Sequence, residues 1–335
     1  MGKKLDPIRT RLSDSILLSD LMGCTSVYRK GLPNVFEEDS LKLRQGHLLA
    51  ETLEEISRLS GSPLSFVYGF ISPSLSWEIV KYQHPDKPSY HRWDAGAAVD
   101  FCAHNHVRGK QNDLTNAPIS LAWNIDQADI PYSRMITYSE SPIICFATNA
   151  DEKRPRKAFY ENRYQGELGG KPKYIPIPNG SKRQDKFQEL QRDGLEDGWK
   201  GHGFPTYHLG GKRGYEHYRT SRYTLLSDFL FDNQKVRDGE PNMPRVNRDL
   251  RRIMMEIGSY IDVLVDAMGG KRVSIVRGLH STWYYREASL IVALPESEHN
   301  CMGDYAKLFH DTGCECEVGK QFLCMKFPGL KLQGI

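Results

Sequence analysis

Residues 17–21 read Leu-Leu-Ser-Asp-Leu, and residues 225–229 read Leu-Leu-Ser-Asp-Phe, the same pattern at an offset of 208 positions. A second group of turn-forming residues recurs at the same offset. It consists of Gly31, Pro33 and Asn34 in the first copy and Gly239, Pro241 and Asn242 in the second. Similar residues in the same order at a constant offset are typical of an internal duplication.

A predicted amphipathic helix follows each copy of the pattern. Apolar residues recur at three- and four-residue spacing over residues 41–59 and again over residues 250–268, and a glycine closes each stretch. A short apolar strand and a turn come next, at residues 66–72 and 275–281. The sequence therefore predicts an α+β fold with two duplicated domains, each a helix packed on a small antiparallel sheet.

The repeat also divides the chain into segments. We predict a first domain over residues 13–150, a connector over residues 151–219 and a shorter second domain over residues 220–330. The connector is rich in Lys, Arg, Gly, Pro and Tyr, and it has few periodic apolar positions. Because aromatic residues are unusual in flexible linkers, we expect this connector to be ordered.

Composition excludes several classes of protein. With 39% apolar and 26% charged residues, the chain of 335 residues can bury a core and is not a disordered protein. A net charge of +3 makes nucleic acid an unlikely partner. No apolar run approaches the roughly 18 residues of a membrane helix, and the N-terminus lacks the apolar stretch of a secretory signal. We therefore expect a protein made in the cytoplasm, without a membrane partner.

One stretch of the first domain combines residues suited to metal chemistry. Ser89, Tyr90 and His91 are followed by Gly96, Ala98 and Asp100. A neutral imidazole and a carboxylate are both ligands of zinc, and small residues between them let the backbone close around an ion. This stretch is therefore a candidate metal site.

The order of these motifs resembles the zinc D-Ala-D-Ala carboxypeptidase family, which includes phage D,D- and L,D-peptidases and is related to hedgehog-type domains. The features shared are a helix ending in Gly, a Gly-aromatic-x-Ser turn, Ser-x-His and Gly-x-Ala-x-Asp. The resemblance covers residues 41–148 and, more faintly, residues 250–327. It implies a peptidase-like fold and zinc as a possible cofactor.

The resemblance implies roles for individual residues. His91 and Asp100 would be the first two zinc ligands, although they lie nine positions apart where the family has seven. The family's third ligand is a His on a late strand, and the matching strand here offers Cys145. Glu140 is the candidate for the catalytic base. Ile71 stands where the family has an Arg that grips the substrate carboxylate.

The second copy is predicted to be further from the family pattern. His299 and Cys324 would be the counterparts of His91 and Cys145, without a convincing second ligand between them. We therefore predict that the second copy holds no working site.

Two classes of function remain open. The first is a phage-type structural or binding protein, a virion component built from catalytically eroded domains, whose partners are other particle proteins or copies of itself. The alternative is an active, endolysin-like zinc D,D- or L,D-peptidase that cleaves peptidoglycan peptides. Because fold does not dictate function, the loss of the substrate Arg and of the third His favours the first class.

Overall fold

A computed structural model of the protein shows why the repeated pattern forms the same elements twice. It describes residues 5–23, 27, 31–79, 88–103, 118–138, 141–152, 157–163, 173–178, 182–186, 188–189, 220–242, 248–278 and 287–330. Glu140 lies outside these residues, as does most of the predicted connector.

The predicted helix of the first half is α1 (Ser40–Ser60). It begins where the Asp39 side chain accepts hydrogen bonds from the backbone N–H groups of the first turn. It ends at Gly61, whose φ of 65° is a left-handed conformation that glycine adopts without strain. The apolar face of the helix, including Leu49 and Leu53, is buried in the core.

The first sheet has six strands in the order β1-β2-β4-β3-β5-β6. Its strands are β1 (Leu64–Tyr68), β2 (Ala97–Ala103), β3 (Arg134–Tyr138), β4 (Ser141–Thr148), β5 (Ala158–Arg163) and β6 (Lys173–Pro176). Neighbouring strands are antiparallel except for β3 and β5, which are parallel. Two short helices lie between strands along the chain: α2 (Pro73–Ile79) follows β1, and α3 (Pro118–Gln127) follows β2.

The second half contains a smaller sheet of four antiparallel strands in the order β7-β8-β10-β9. Its helices are α4 (Asn233–Asp238), α5 (Arg248–Ala267) and α6 (Met302–Lys307). Its strands are β7 (Ser274–Arg277), β8 (Ala288–Ala293), β9 (Glu315–Val318) and β10 (Phe322–Phe327). The α+β class is therefore confirmed.

The two halves share their topology. The order β1-β2-β4-β3 in the first sheet corresponds strand by strand to β7-β8-β10-β9 in the second. An irregularity interrupts the β1–β2 pairing between Phe66 and Tyr68, and another interrupts β7–β8 between Ile275 and Arg277. The duplication remains a prediction, with which this shared order agrees.

Each half packs its Leu-Leu-Ser-Asp segment on the sheet of the other half. Leu225 is buried against Val67 and Cys102 of the first sheet. In the same way, Leu17 is buried against Val276 and Ala293 of the second. The predicted domains are therefore interlocked, and most of their buried apolar residues form one continuous core.

Polar side chains also make reciprocal contacts between the two halves. Ser65 Oγ donates to Asp228 at 2.5 Å, and Ser274 Oγ donates to Asp20 at 2.5 Å. Arg272 lies between the two carboxylates, with Nη2 at 3.1 Å from Asp20 and 3.6 Å from Asp228. One buried arginine thus pairs with carboxylates from both halves.

Part of the predicted connector is built into the first sheet. Strands β5 and β6 lie within residues 151–219 and extend the sheet beyond β3. Because β5 runs parallel to β3, this sheet is mixed rather than purely antiparallel as predicted. Arg183 fastens the connector to helix α3 by donating to Asp126 at 2.7 Å.

Among the described residues, no helix combines the length and the apolar composition that crossing a bilayer requires.

Candidate metal centre

Two strands in the middle of the first sheet carry two of the predicted ligands. Asp100 on β2 lies directly opposite Cys145 on β4 in the antiparallel register. Side chains alternate along a strand, and Val99 and Phe101 are buried in the main core. Asp100 and Cys145 therefore project together from the opposite face of the sheet.

His91 reaches this face from the 3₁₀ turn Tyr90–Arg92. Its backbone oxygen accepts a hydrogen bond from Ile71 N at 2.8 Å. Its ring Nδ1 lies 3.1 Å from the backbone oxygen of Gly69, and the ring of Tyr68 packs edge-on against the imidazole at 4.7 Å. Because a carbonyl only accepts, Nδ1 carries the proton and the lone pair of Nε2 faces the sheet.

The three side chains converge, as predicted. His91 Nε2 lies 3.9 Å from Asp100 Oδ1, and the ligand atoms of His91, Asp100 and Cys145 all lie within 4.8 Å of one another. Ligand atoms around a tetrahedral zinc ion are roughly 3.3 to 3.6 Å apart, given its bond lengths. Small side-chain rotations would therefore complete a three-ligand site, and this group could hold a metal ion.

Burial sets the electrostatics of the group. Desolvation lowers the pKa of His91, although Asp100 opposes this, so the imidazole is neutral and free to bind a cation. Desolvation raises the pKa of Asp100 and raises that of the Cys145 thiol well above its usual range. Asp100 Oδ1 is buried without a hydrogen-bond partner. A buried, unsatisfied carboxylate oxygen is the kind of atom that a bound cation would satisfy.

Arg134 is the charged neighbour that sequence reasoning missed. It lies on β3 opposite Ala147 of β4, and its guanidinium lies 5.8 Å from the centre of the Tyr90 ring. Its positive charge lowers the pKa values of Cys145 and Asp100 against the effect of burial. No motif marks Arg134, because its position depends on the register between β3 and β4.

The loop between His91 and Asp100 has a packing role. Trp93, at a φ of 59°, is fully buried against the rings of Phe36 and Phe70. Later in the loop, Gly96 has a φ of 129°, and a Cβ there would lie 2.3 Å from the backbone oxygen of Thr148. The loop thus anchors the histidine turn to the core.

The second half does not reproduce the site. Cys324 on β10 lies opposite Ile291 of β8, in the place that Cys145 and Asp100 take in the first half. The prediction that His299 corresponds to His91 is wrong, because His299 follows β8 whereas His91 precedes β2. Within the described part of the second half, no three metal-ligating side chains come together.

Of the other two positions that the resemblance singles out, Glu140 lies outside the described residues and Ile71 offers no catalytic group. Ile71 is buried, and its backbone N–H positions His91. Comparison of the chain with protein-family models, with curated proteins and with solved structures gives no match. The roles of His91, Asp100 and Cys145 are therefore inferred from their geometry alone.

Proposed function

We propose that the protein is a structural or binding protein. It holds one zinc ion at His91, Asp100 and Cys145, and its surface binds partner proteins. The observation that carries the zinc assignment is the convergence of the three ligand atoms within 4.8 Å around a buried, unpartnered Asp100 oxygen. Imidazole, carboxylate and thiolate form a donor set that suits zinc.

A binding role is favoured over hydrolysis because the described residues provide neither a base nor a clamp beside the three ligands; Glu140, the predicted base, lies outside them. Hydrolysis at zinc needs a base for the water and a clamp for the substrate, while the metal supplies Lewis acidity. Among the described residues, Asp100 is the only carboxylate that influences the pKa values of the three ligands, so no further carboxylate is placed to act as the base. The clamp position is the buried Ile71.

The resemblance to phage peptidases supports a role in a phage particle, with other particle proteins or further copies of the chain as partners. Quantitative mass spectrometry of purified particles tests this role. A fixed number of copies per particle is the expected result, and complete absence from particles would contradict it.

The alternative is an active zinc peptidase acting on peptidoglycan peptides. The observation in its favour is that the side chains of His91 and Asp100 keep 18% and 20% of their surface exposed. A three-ligand zinc site with one accessible face is typical of catalytic rather than purely structural zinc.

Zinc binding is expected at one equivalent per chain and should depend on all three ligands. Replacing His91 by Ala or Cys145 by Ser should weaken zinc binding at least about 100-fold, because a two-ligand site holds zinc poorly. Competition with a chromophoric chelator measures the affinity. A thiolate-to-cobalt absorption band in the cobalt-loaded protein should disappear in Cys145→Ser. The matched control is Cys324→Ser, which changes the equivalent strand position of the second half.

The same preparation separates the two functions. Zinc-loaded protein should leave peptidoglycan peptides intact over prolonged incubation. Cleavage that a chelator and His91→Ala both abolish would establish the peptidase instead. A wild-type chain that takes up no zinc would overturn the metal site itself.

A further inference from the structure

The loop before each Leu-Leu-Ser-Asp segment has the same hydrogen bonds in both halves. Backbone N–H groups of residues 12 and 13 donate to the oxygen of Ile16, and those of residues 220 and 221 donate to the oxygen of Thr224. The offset is again 208. These bonds establish which positions of the two halves are structurally equivalent.

A carboxylate on the long helix holds each loop. Glu54 of α1 accepts from Ser13 Oγ and Ser15 N, both at 2.6 Å. Asp262 of α5 accepts from Ser221 Oγ at 2.8 Å and Tyr223 N at 3.0 Å. Ser15 and Tyr223 therefore occupy equivalent positions.

The last turns of the two helices are equivalent as well. The N–H of Gly61 donates to Arg58 O at 3.2 Å, and the N–H of Gly269 donates to Asp266 O at 3.1 Å. Arg58 thus stands where the second half has Asp266, so the charge at this position is reversed.

In the second half an aromatic side chain fills the space between loop and helix. The hydroxyl of Tyr223 donates to Asp266 at 3.0 Å, and the guanidinium of Arg222 lies 4.4 Å from the centre of the tyrosine ring. Below the tyrosine, the cavity lined by Tyr223, Val265 and Arg272 measures only about 10 Å³.

In the first half the equivalent space is open. Ser15 replaces the tyrosine, and a cavity of about 470 Å³ lies between α1 and the glycine turn that ends α5. Its walls include Ser15, Ser57, Arg58, Gly61, Gly270 and Lys271. Side chains added at Gly269 or Gly270 would meet nothing within 4 Å. A cavity of this size is in the range of small-molecule sites.

Four of the five charged side chains that line the cavity already have partners. Those pairs are Asp14 with Ser297, Glu54 with Ser13, Lys271 with Glu298, and Arg272 with Asp20. Arg58 is the fifth, and it has no hydrogen-bond or ion-pair partner within the part of the chain that the structure describes. The charge left for a ligand is therefore positive.

We infer that this cavity binds a small aromatic carboxylate. The ring of the ligand lies at the position equivalent to that of the Tyr223 ring in the second half. The carboxylate of the ligand pairs with Arg58. At the equivalent position of the second half, Asp266 accepts a hydrogen bond from the Tyr223 hydroxyl. Arg is well suited to a carboxylate because its planar fork donates two parallel hydrogen bonds. A free aromatic acid and the C-terminal aromatic residue of a partner peptide both present this chemistry.

Calorimetric titration of the full chain with benzoate and with N-acetyl-L-phenylalanine tests the inference. Saturable binding at one site is expected, with acetate at least about 10-fold weaker because it lacks the ring. Arg58→Gln should weaken binding about 10-fold or more. The charge-matched control Lys320→Gln, in the exposed turn between β9 and β10, should leave the affinity unchanged. The more tightly bound probe identifies the source of the ligand.

Ser15→Tyr provides a second test, because it fills the cavity as Tyr223 does in the second half. This variant should bind neither probe while keeping the wild-type unfolding temperature. If Ser15→Tyr fails to fold, Arg58→Gln decides alone, since its side chain is exposed. Failure of wild type to bind either probe at about 10 mM, or equal affinity in wild type and Arg58→Gln, would overturn the proposal.

Discussion

Arg272→Met is expected to destabilise the protein by about 3–5 kcal/mol, the cost of removing one partner from a buried ion pair. The guanidinium donates to the backbone oxygen of Leu64 and lies 3.1 Å from Asp20 and 3.6 Å from Asp228. It also lies 4.6 Å from the centre of the Phe66 ring. Without it, two carboxylates from different halves would remain buried together with no cation.

The loss should depend on pH in a definite direction. Burial raises the pKa of Asp228 even in the presence of Arg272. A carboxyl group whose pKa is raised in the folded state stabilises the fold below its unfolded pKa and loses that contribution as the pH rises through the folded pKa. The deficit of Arg272→Met should therefore be smaller near pH 5 than near pH 8.

Urea unfolding followed by tryptophan fluorescence measures this effect. The matched control is Arg222→Met, because the Arg222–Asp266 pair is about half exposed, with 47% and 50% of the side-chain surface accessible. Surface pairs contribute about 1 kcal/mol or less. Equal destabilisation of the two variants would show that Arg272 does not join the halves.

Gly69→Ala should cost about 3 kcal/mol or more, the range of severe steric substitutions. A Cβ at this position would lie 2.1 Å from the backbone oxygen of Leu21, and backbone cannot move aside as a flexible side chain can. Gly278→Ala should have a similar effect, because its Cβ would lie 2.3 Å from the oxygen of Phe229. Thermal and urea unfolding measure both variants.

Only the first of these substitutions should also affect the metal site. The Gly69 oxygen orients the His91 ring, so Gly69→Ala should weaken zinc binding while Gly278→Ala should not. The control is Gly303→Ala in α6, where an added Cβ meets nothing within 4 Å. Gly303→Ala should be neutral or stabilise by up to about 1 kcal/mol. If Gly69→Ala were as stable as this control, the close approach of Gly69 to Leu21 would be wrong.

Much of the secondary structure could be predicted because its determinants are local. The apolar periodicity of residues 41–59 and 250–268 and the glycines behind them account for helices α1 and α5. Strand β5 was not predicted as part of a sheet, since its parallel pairing with β3 depends on how the connector returns to the first half.

The candidate site was likewise only partly predictable from the sequence. Residue type and order singled out His91 and Asp100, and the family resemblance added Cys145; the three side chains lie together in the structure. Order failed for His299, because its likeness to His91 does not reveal whether it precedes or follows the strand. Arg134 carries no sequence signal, since only the pairing of β3 with β4 brings it to Cys145.

The sequence by itself determined the α+β class, the two long helices and the candidate ligands His91 and Asp100, because periodicity, capping and motif order act over a few positions. Tertiary structure alone decided that the halves interlock and that one arginine serves Asp20 and Asp228, which lie 252 and 44 positions away from it. It also decided that a cavity lies beside Ser15, whereas Tyr223 at the equivalent position packs against α5 and donates to Asp266. The physical reason is that burial and charge pairing depend on which distant surfaces meet, and no local pattern encodes that choice.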